Sequence, residues 1–120
     1  MKSISIIVSN NPVRRKELVY EEQIELINAV LEETGYVAQE VSEPKQGEQD
    51  PFGPMIYLDS GDREHAEGVA KKFPGVLVIL IIDEGGGYQN GRRPFWRSGV
   101  WCVERTRIID DLADVVLGNT

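Results

Sequence analysis

"VLVILII", residues 76–82, is apolar at all seven positions and lies between Pro74-Gly75 and Asp83-Glu84. A strand with one wet face alternates apolar and polar side chains, so an unbroken run argues for burial on both faces, as in a parallel strand covered by helices. The run is far too short to cross a bilayer as a helix. It is therefore read as a central strand, and the rest of the chain must supply the helices that cover it.

Immediately before it, residues 62–73 place Ala66, Val69, Ala70 and Phe73 on one helical stripe, which Pro74-Gly75 ends. Residues 55–58 form a short apolar strand that runs into Asp59, Ser60, Gly61 and Asp62. Further out, 36–41 alternates like a half-exposed strand, and "SEPKQGEQDPFGP" (42–54) is a loop. Residues 17–34 repeat Tyr20, Ile24, Ile27 and Leu31 at helical spacing against a glutamate-rich face, with Gly35 as the C-terminal cap. Residues 3–8 are a β-branched strand closed by Ser9-Asn10-Asn11-Pro12.

On the other side, 83–98 reads as a long glycine-rich loop and 99–104 as the last strand. Thr106 is the expected N-cap of a final helix carrying Ile109, Leu112 and Val116 on its buried side. The alternation of strands and helices predicts a single domain over residues 1–120. Its architecture is a three-layer α/β/α sandwich with a mostly parallel five-stranded sheet, flavodoxin-like in order 2-1-3-4-5. The alternative is a ferredoxin-like α+β domain, which would place the all-apolar strand at an edge.

Composition narrows the function classes. Hydrophobic residues are 41% and charged residues 28% of the 120, the balance of a folded globular domain. Twenty acidic residues against 13 basic ones give a net charge of −7, which disfavours nucleic acid as a partner. The one cysteine, Cys102, excludes an internal disulfide and is expected to be a small buried hydrophobe in a reducing, cytoplasmic setting. No signal-peptide core or membrane-spanning segment is read in the sequence.

In open α/β sheets ligands bind beyond the carboxyl ends of the strands. Those ends deliver Asn10 and Asn11, then Asp59, Ser60 and Asp62, then Asp83 and Glu84, and lastly Glu104 and Arg105. Carboxylates grouped with amide and hydroxyl oxygens suit Mg²⁺, so these residues form the candidate metal or ligand site. The plainer reading makes Asp62 or Ser60 the cap of the second helix and Asp83 the start of a turn; for Asp59 the expectation leans toward function. His65, the only histidine, stands too alone for a zinc site or a catalytic triad. Arg92, Arg93, Phe95, Trp96 and Arg97 in the second loop suit a partner-binding patch, since Trp and Arg concentrate at interaction hot spots.

An apolar strand ending in Asp59, a following helix, a fourth apolar strand and "SGVWCVERT" before the last helix resemble a response-regulator receiver domain. In that family the aspartate ending the third strand accepts phosphate. The family's acidic pair at the end of the first strand corresponds here to Ser9, Asn10 and Asn11, and its serine or threonine after strand four to Asp83. The resemblance therefore implies a pseudo-receiver, a non-catalytic regulatory or interaction module that binds a protein or small ligand, with no cofactor. "LDSGDREHAEGVAKKFPG" is similar, over a shorter stretch, to the acidic motif of Toprim domains. That likeness implies instead a Mg²⁺-dependent phosphoryl-transfer enzyme using Asp59, Asp62 and Asp83, although Asp59 and Asp62 stand one residue too far apart for the motif. A homodimer is compatible with either reading.

Overall fold

The structure, a computed structural model, describes residues 2–8, 13, 16, 20–42, 53–82 and 94–118. Its strands are β1 (Lys2–Val8), β2 (Tyr36–Ser42), β3 (Met55–Tyr57), β4 (Val78–Ile82), β5 (Phe95–Arg97) and β6 (Val100–Glu104). Its helices are α1 (Tyr20–Glu32), α2 (Arg63–Lys72) and α3 (Ile108–Gly118). Single 3₁₀ turns, Ser60–Asp62 and Arg105–Arg107, lead into α2 and α3.

One sheet joins all six strands in the order β2-β1-β3-β4-β6-β5, parallel except for the β5–β6 pair. The parallel pairing replaces the ferredoxin-like alternative. The expected five strands in order 2-1-3-4-5 need correction in count and order. Part of the second loop, Phe95–Arg97, folds back antiparallel onto the strand expected last and becomes an additional edge. The reversal is tight: Ser98 (φ 53°) and Gly99 (φ 86°) both adopt the left-handed region that a two-residue type I′ hairpin demands. A Cβ on Gly99 would also come within 2.9 Å of the Ala70 Cβ, so α2 packs where only a glycine leaves room.

Every residue of β4 is buried, and alternate residues serve different layers. Ile79 and Ile81 join Ile27 and Leu31 of α1 and Ile108, Leu112, Val115 and Val116 of α3 on one face. Val78, Leu80 and Ile82 join Ala66 and Ala70 of α2 on the other. The run that opened the sequence reading thus sits between two helical layers. Burying a Leu or Ile side chain of this kind contributes about 1.5–3 kcal/mol, and β4 contributes to both cores at once.

Local expectations fare unevenly. Gly35 has φ +82° at the end of the turn that follows α1, as a left-handed C-terminal position requires. The last helix starts later than expected, at Ile108, and keeps Leu112 and Val116 of its predicted stripe buried. Thr106 lies inside the Arg105–Arg107 turn rather than capping the helix, and Ile109 is 65% exposed while Ile108 is buried. The extra 3₁₀ turn leads into a helix whose first residue, Ile108, turns inward in place of Ile109. It also lets Arg107 reach Asp111, whose Oδ2 accepts from Nε at 3.1 Å and whose Oδ1 accepts from a terminal guanidinium nitrogen at 3.4 Å. Asp111, a nearly buried carboxylate on the core side of α3, is acceptable there because of that fork. Among the described residues no helix is long and apolar enough to cross a membrane.

Candidate functional site at the carboxyl edge of the sheet

The register of the sheet sets Tyr57 level with Leu80 and Cys102, and Ile82 level with Glu104. The chain leaving β3 at Leu58 and Asp59 therefore emerges over the same edge as the ends of β4 and β6. Asp59, Ser60, Asp62, Glu104 and Arg105 of the expected strand ends are gathered there. Asn10, Asn11, Asp83 and Glu84, like Arg92 and Arg93 of the expected partner patch, lie outside the described residues.

Asp59 is only 8% exposed, and its Oδ1 accepts a 2.8 Å hydrogen bond from the Gly61 amide. Its own carbonyl accepts from the Asp62 amide at 2.9 Å. Together these bonds make an Asx turn, in which an aspartate side chain imitates a backbone carbonyl and steers the chain out of the strand. The sequence assigned this capping work to Asp62 or Ser60. Asp62 does precede α2, yet its side chain makes no cap hydrogen bond. The carboxylate that shapes the strand-to-helix turn is Asp59.

Arg105 belongs to the same construction. One terminal guanidinium nitrogen donates to the Leu58 carbonyl at 3.1 Å, 47 residues away in sequence, spanning from the end of β6 across β4 to the end of β3. Glu104, 3% exposed, shares the α2-side face of β6 with Cys102 and Val100. Among the described residues, no group of three or more His, Cys, Asp and Glu side chains could hold a metal ion.

Two features of this edge escaped the sequence reading. Tyr57 is fully buried, and its hydroxyl has no hydrogen-bond partner among the described residues. Burial, with a smaller contribution from the Asp62 charge, pushes its pKa up to about 12. The hydroxyl is therefore protonated at neutral pH and cannot act there as a base. His65, on the first turn of α2, meets the Tyr57 ring edge-on at 5.5 Å, so it is a packing neighbour more than a free surface residue. The signal for Tyr57 was faint: a residue with an apolar ring and a polar tip, in a strand that must be buried. Glu104 was recognised as a strand end, but nothing in "VWCVERT" shows that its carboxylate is inside.

Cys102 is buried as expected, and burial pushes its thiol pKa up, with the Arg63 and Arg97 charges pulling the other way. Of the partner patch, Phe95 is half-buried, Trp96 is 61% exposed and Arg97 is exposed. They make up β5, at the end of the sheet among the described residues. Trp101, opposite Trp96, packs partly against the α1/α3 core.

Fold and edge together define a doubly wound α/β domain with an appended hairpin strand. Its structure is similar to that of a fragment of a Peptoclostridium difficile 630 protein provisionally described as a lipoprotein. The TM-score is 0.66, with 15% sequence identity over 99% of this chain and 98% of that one. Likeness at this identity carries the fold alone. No protein-family model matches the sequence, and comparison with curated proteins finds no match.

Proposed function

We propose that this domain is a non-catalytic regulatory or interaction module, receiver-like in layout, that presents β5 to a partner. The observation that carries the reading is the engagement of the Asp59 carboxylate. Its Oδ1 is committed to the Gly61 amide and the residue is only 8% exposed, which supports a structural role at the strand-to-helix turn over a phosphate acceptor or metal ligand. The most chemically suggestive residue of the sequence thus does backbone work. The open aromatic of the molecule's edge, Trp96, lies on the far side of the sheet order from β2.

A cytoplasmic setting belongs to the proposal because the chain's one cysteine is buried and in no disulfide. The description of the structural relative as a lipoprotein concerns that protein. The test is a two-dimensional amide spectrum titrated with Mg²⁺ and then Mn²⁺, following Asp59, Gly61 and Asp62. The module reading expects no saturating local shift at low millimolar metal. Saturating shifts abolished by Asp59→Asn would replace it with Mg²⁺-dependent phosphoryl transfer.

A further inference from the structure

We propose that two copies of this chain associate about a two-fold axis through β5, their edge strands pairing antiparallel with Trp96 opposite the second copy's Trp96. The inference rests on the reading of β5 as the binding edge and names the occupant. The hairpin decides which backbone groups are open. Closure of the two-residue turn makes Arg97 and Val100 the hydrogen-bonded pair, so alternation makes Trp96–Trp101 the pair that exchanges no hydrogen bonds. The Trp96 amide and carbonyl consequently point away from β6, toward the side on which no further strand pairs among the described residues. One residue with both groups facing outward is what each strand must bring to the centre of a two-fold antiparallel pair.

The side chains complement themselves in that register. Pairing about Trp96 sets Phe95 of each copy opposite Arg97 of the other, so a guanidinium meets an aromatic ring twice and no like charges stand directly opposite. Centring the axis on Arg97 would instead oppose two guanidinium groups, which the chain has reason to avoid. Trp96 shares its face with Trp101, and the joined sheets would carry a continuous row of four indoles, two from each copy. Trp96 is 61% exposed in the single chain, so its indole is available to a second copy, and Trp is among the residues concentrated at interaction hot spots.

Size sets the strength. Strands of three residues and two indoles bury much less than the roughly 1,200 Å² of a stable interface, so the dimer is weak, with a dissociation constant on the order of 10–100 µM. The chain's charge of −7 opposes association at low salt, so moderate salt tightens it.

Sedimentation equilibrium on the whole chain, from about 10 µM to about 1 mM, is expected to show a monomer–dimer equilibrium lost in Trp96→Lys. Register is read by oxidative cross-linking in a Cys102→Ser background. Trp96→Cys should link to itself, since opposed Cα atoms at about 5.5 Å suit a disulfide. Phe95→Cys and Arg97→Cys should each fail alone and link when mixed. Circular dichroism and melting checks that each variant is folded. A monomer at every concentration, a dimer indifferent to Trp96→Lys, or linking in a different register overturns the proposal. With a monomer, poly-L-glutamate added as a probe separates the two levels of inference. Shifts of the Trp96 amide would keep β5 as a binding edge for an acidic extended peptide, and indifference would remove that reading too.

Discussion

Tyr57→Phe removes one oxygen from the buried layer between β3 and α2 and leaves the ring in place. The hydroxyl is fully buried and makes no hydrogen bond among the described residues, so folding strips it of water without compensation from them. Such a group costs about 1–3 kcal/mol, and its removal should stabilise the protein by a similar amount, allowing for some relaxation around the ring. For a chain of this size that is a rise in Tm of about 4–12 °C at pH 7.

The effect should grow in alkali. The folded pKa of about 12 exceeds the unfolded value near 10, so the phenol's protonated form is favoured by folding. Its contribution is constant below pH 10 and is lost as pH rises from 10 through 12, because the unfolded chain ionises first. The wild type should therefore fall a further 2–3 kcal/mol or so behind Tyr57→Phe across that window, on the linkage of about 1.4 kcal/mol per pKa unit. Urea melts of both proteins at pH 7, 10 and 11.5 provide the comparison, with the other tyrosines and lysines cancelling in the difference. A variant less stable than wild type at pH 7, or a gap that does not widen above pH 10, would refute the reasoning and mean that the hydroxyl is partnered.

Asp59→Ala should cost about 1–2 kcal/mol by leaving the Gly61 amide without its acceptor, while Asp59→Asn, which keeps an oxygen there, should cost less than half of that in the same melts. Gly99→Ala should cost about 1–3 kcal/mol or more, from positive φ and the 2.9 Å approach to Ala70 together, and the loss should show as weaker hydrogen-exchange protection of β5 and β6. Cys102 should resist alkylation at pH 8 in the folded protein and react promptly in denaturant, because burial both shields the thiol and keeps it protonated; prompt reaction of the native protein would contradict its placement.

The sheet was legible because its signals are collective. An all-apolar run cannot be satisfied at a wet edge, and the two stripes of β4 demand helices on both sides, which α1, α3 and α2 supply. Single residues were less readable. Three residues, Phe-Trp-Arg, carry no periodicity, so β5 was hidden in a loop until the Ser98-Gly99 turn gave it a partner strand. At the last helix Leu112 and Val116 are buried as their spacing implied, but behind a 3₁₀ turn of three residues the first inward position falls to Ile108 rather than Ile109, because a helix's start is less constrained by composition than its stripe. At the site, the sequence located Asp59, Asp62 and Arg105 on one edge but could not say which carboxylate would turn inward. That choice depends on whether Gly61 presents its amide, a matter of backbone geometry rather than of residue type.

The most direct measurement of the non-catalytic claim is intact mass after incubation with a small acyl phosphate donor and Mg²⁺, in parallel with Asp59→Asn. An unchanged mass in both proteins is the expected result, since the Asp59 carboxylate is held by the Gly61 amide and nearly closed to solvent. A gain of one phosphoryl group in the wild type that disappears in Asp59→Asn would contradict the claim and make the carboxyl edge of β3 a working phosphate acceptor.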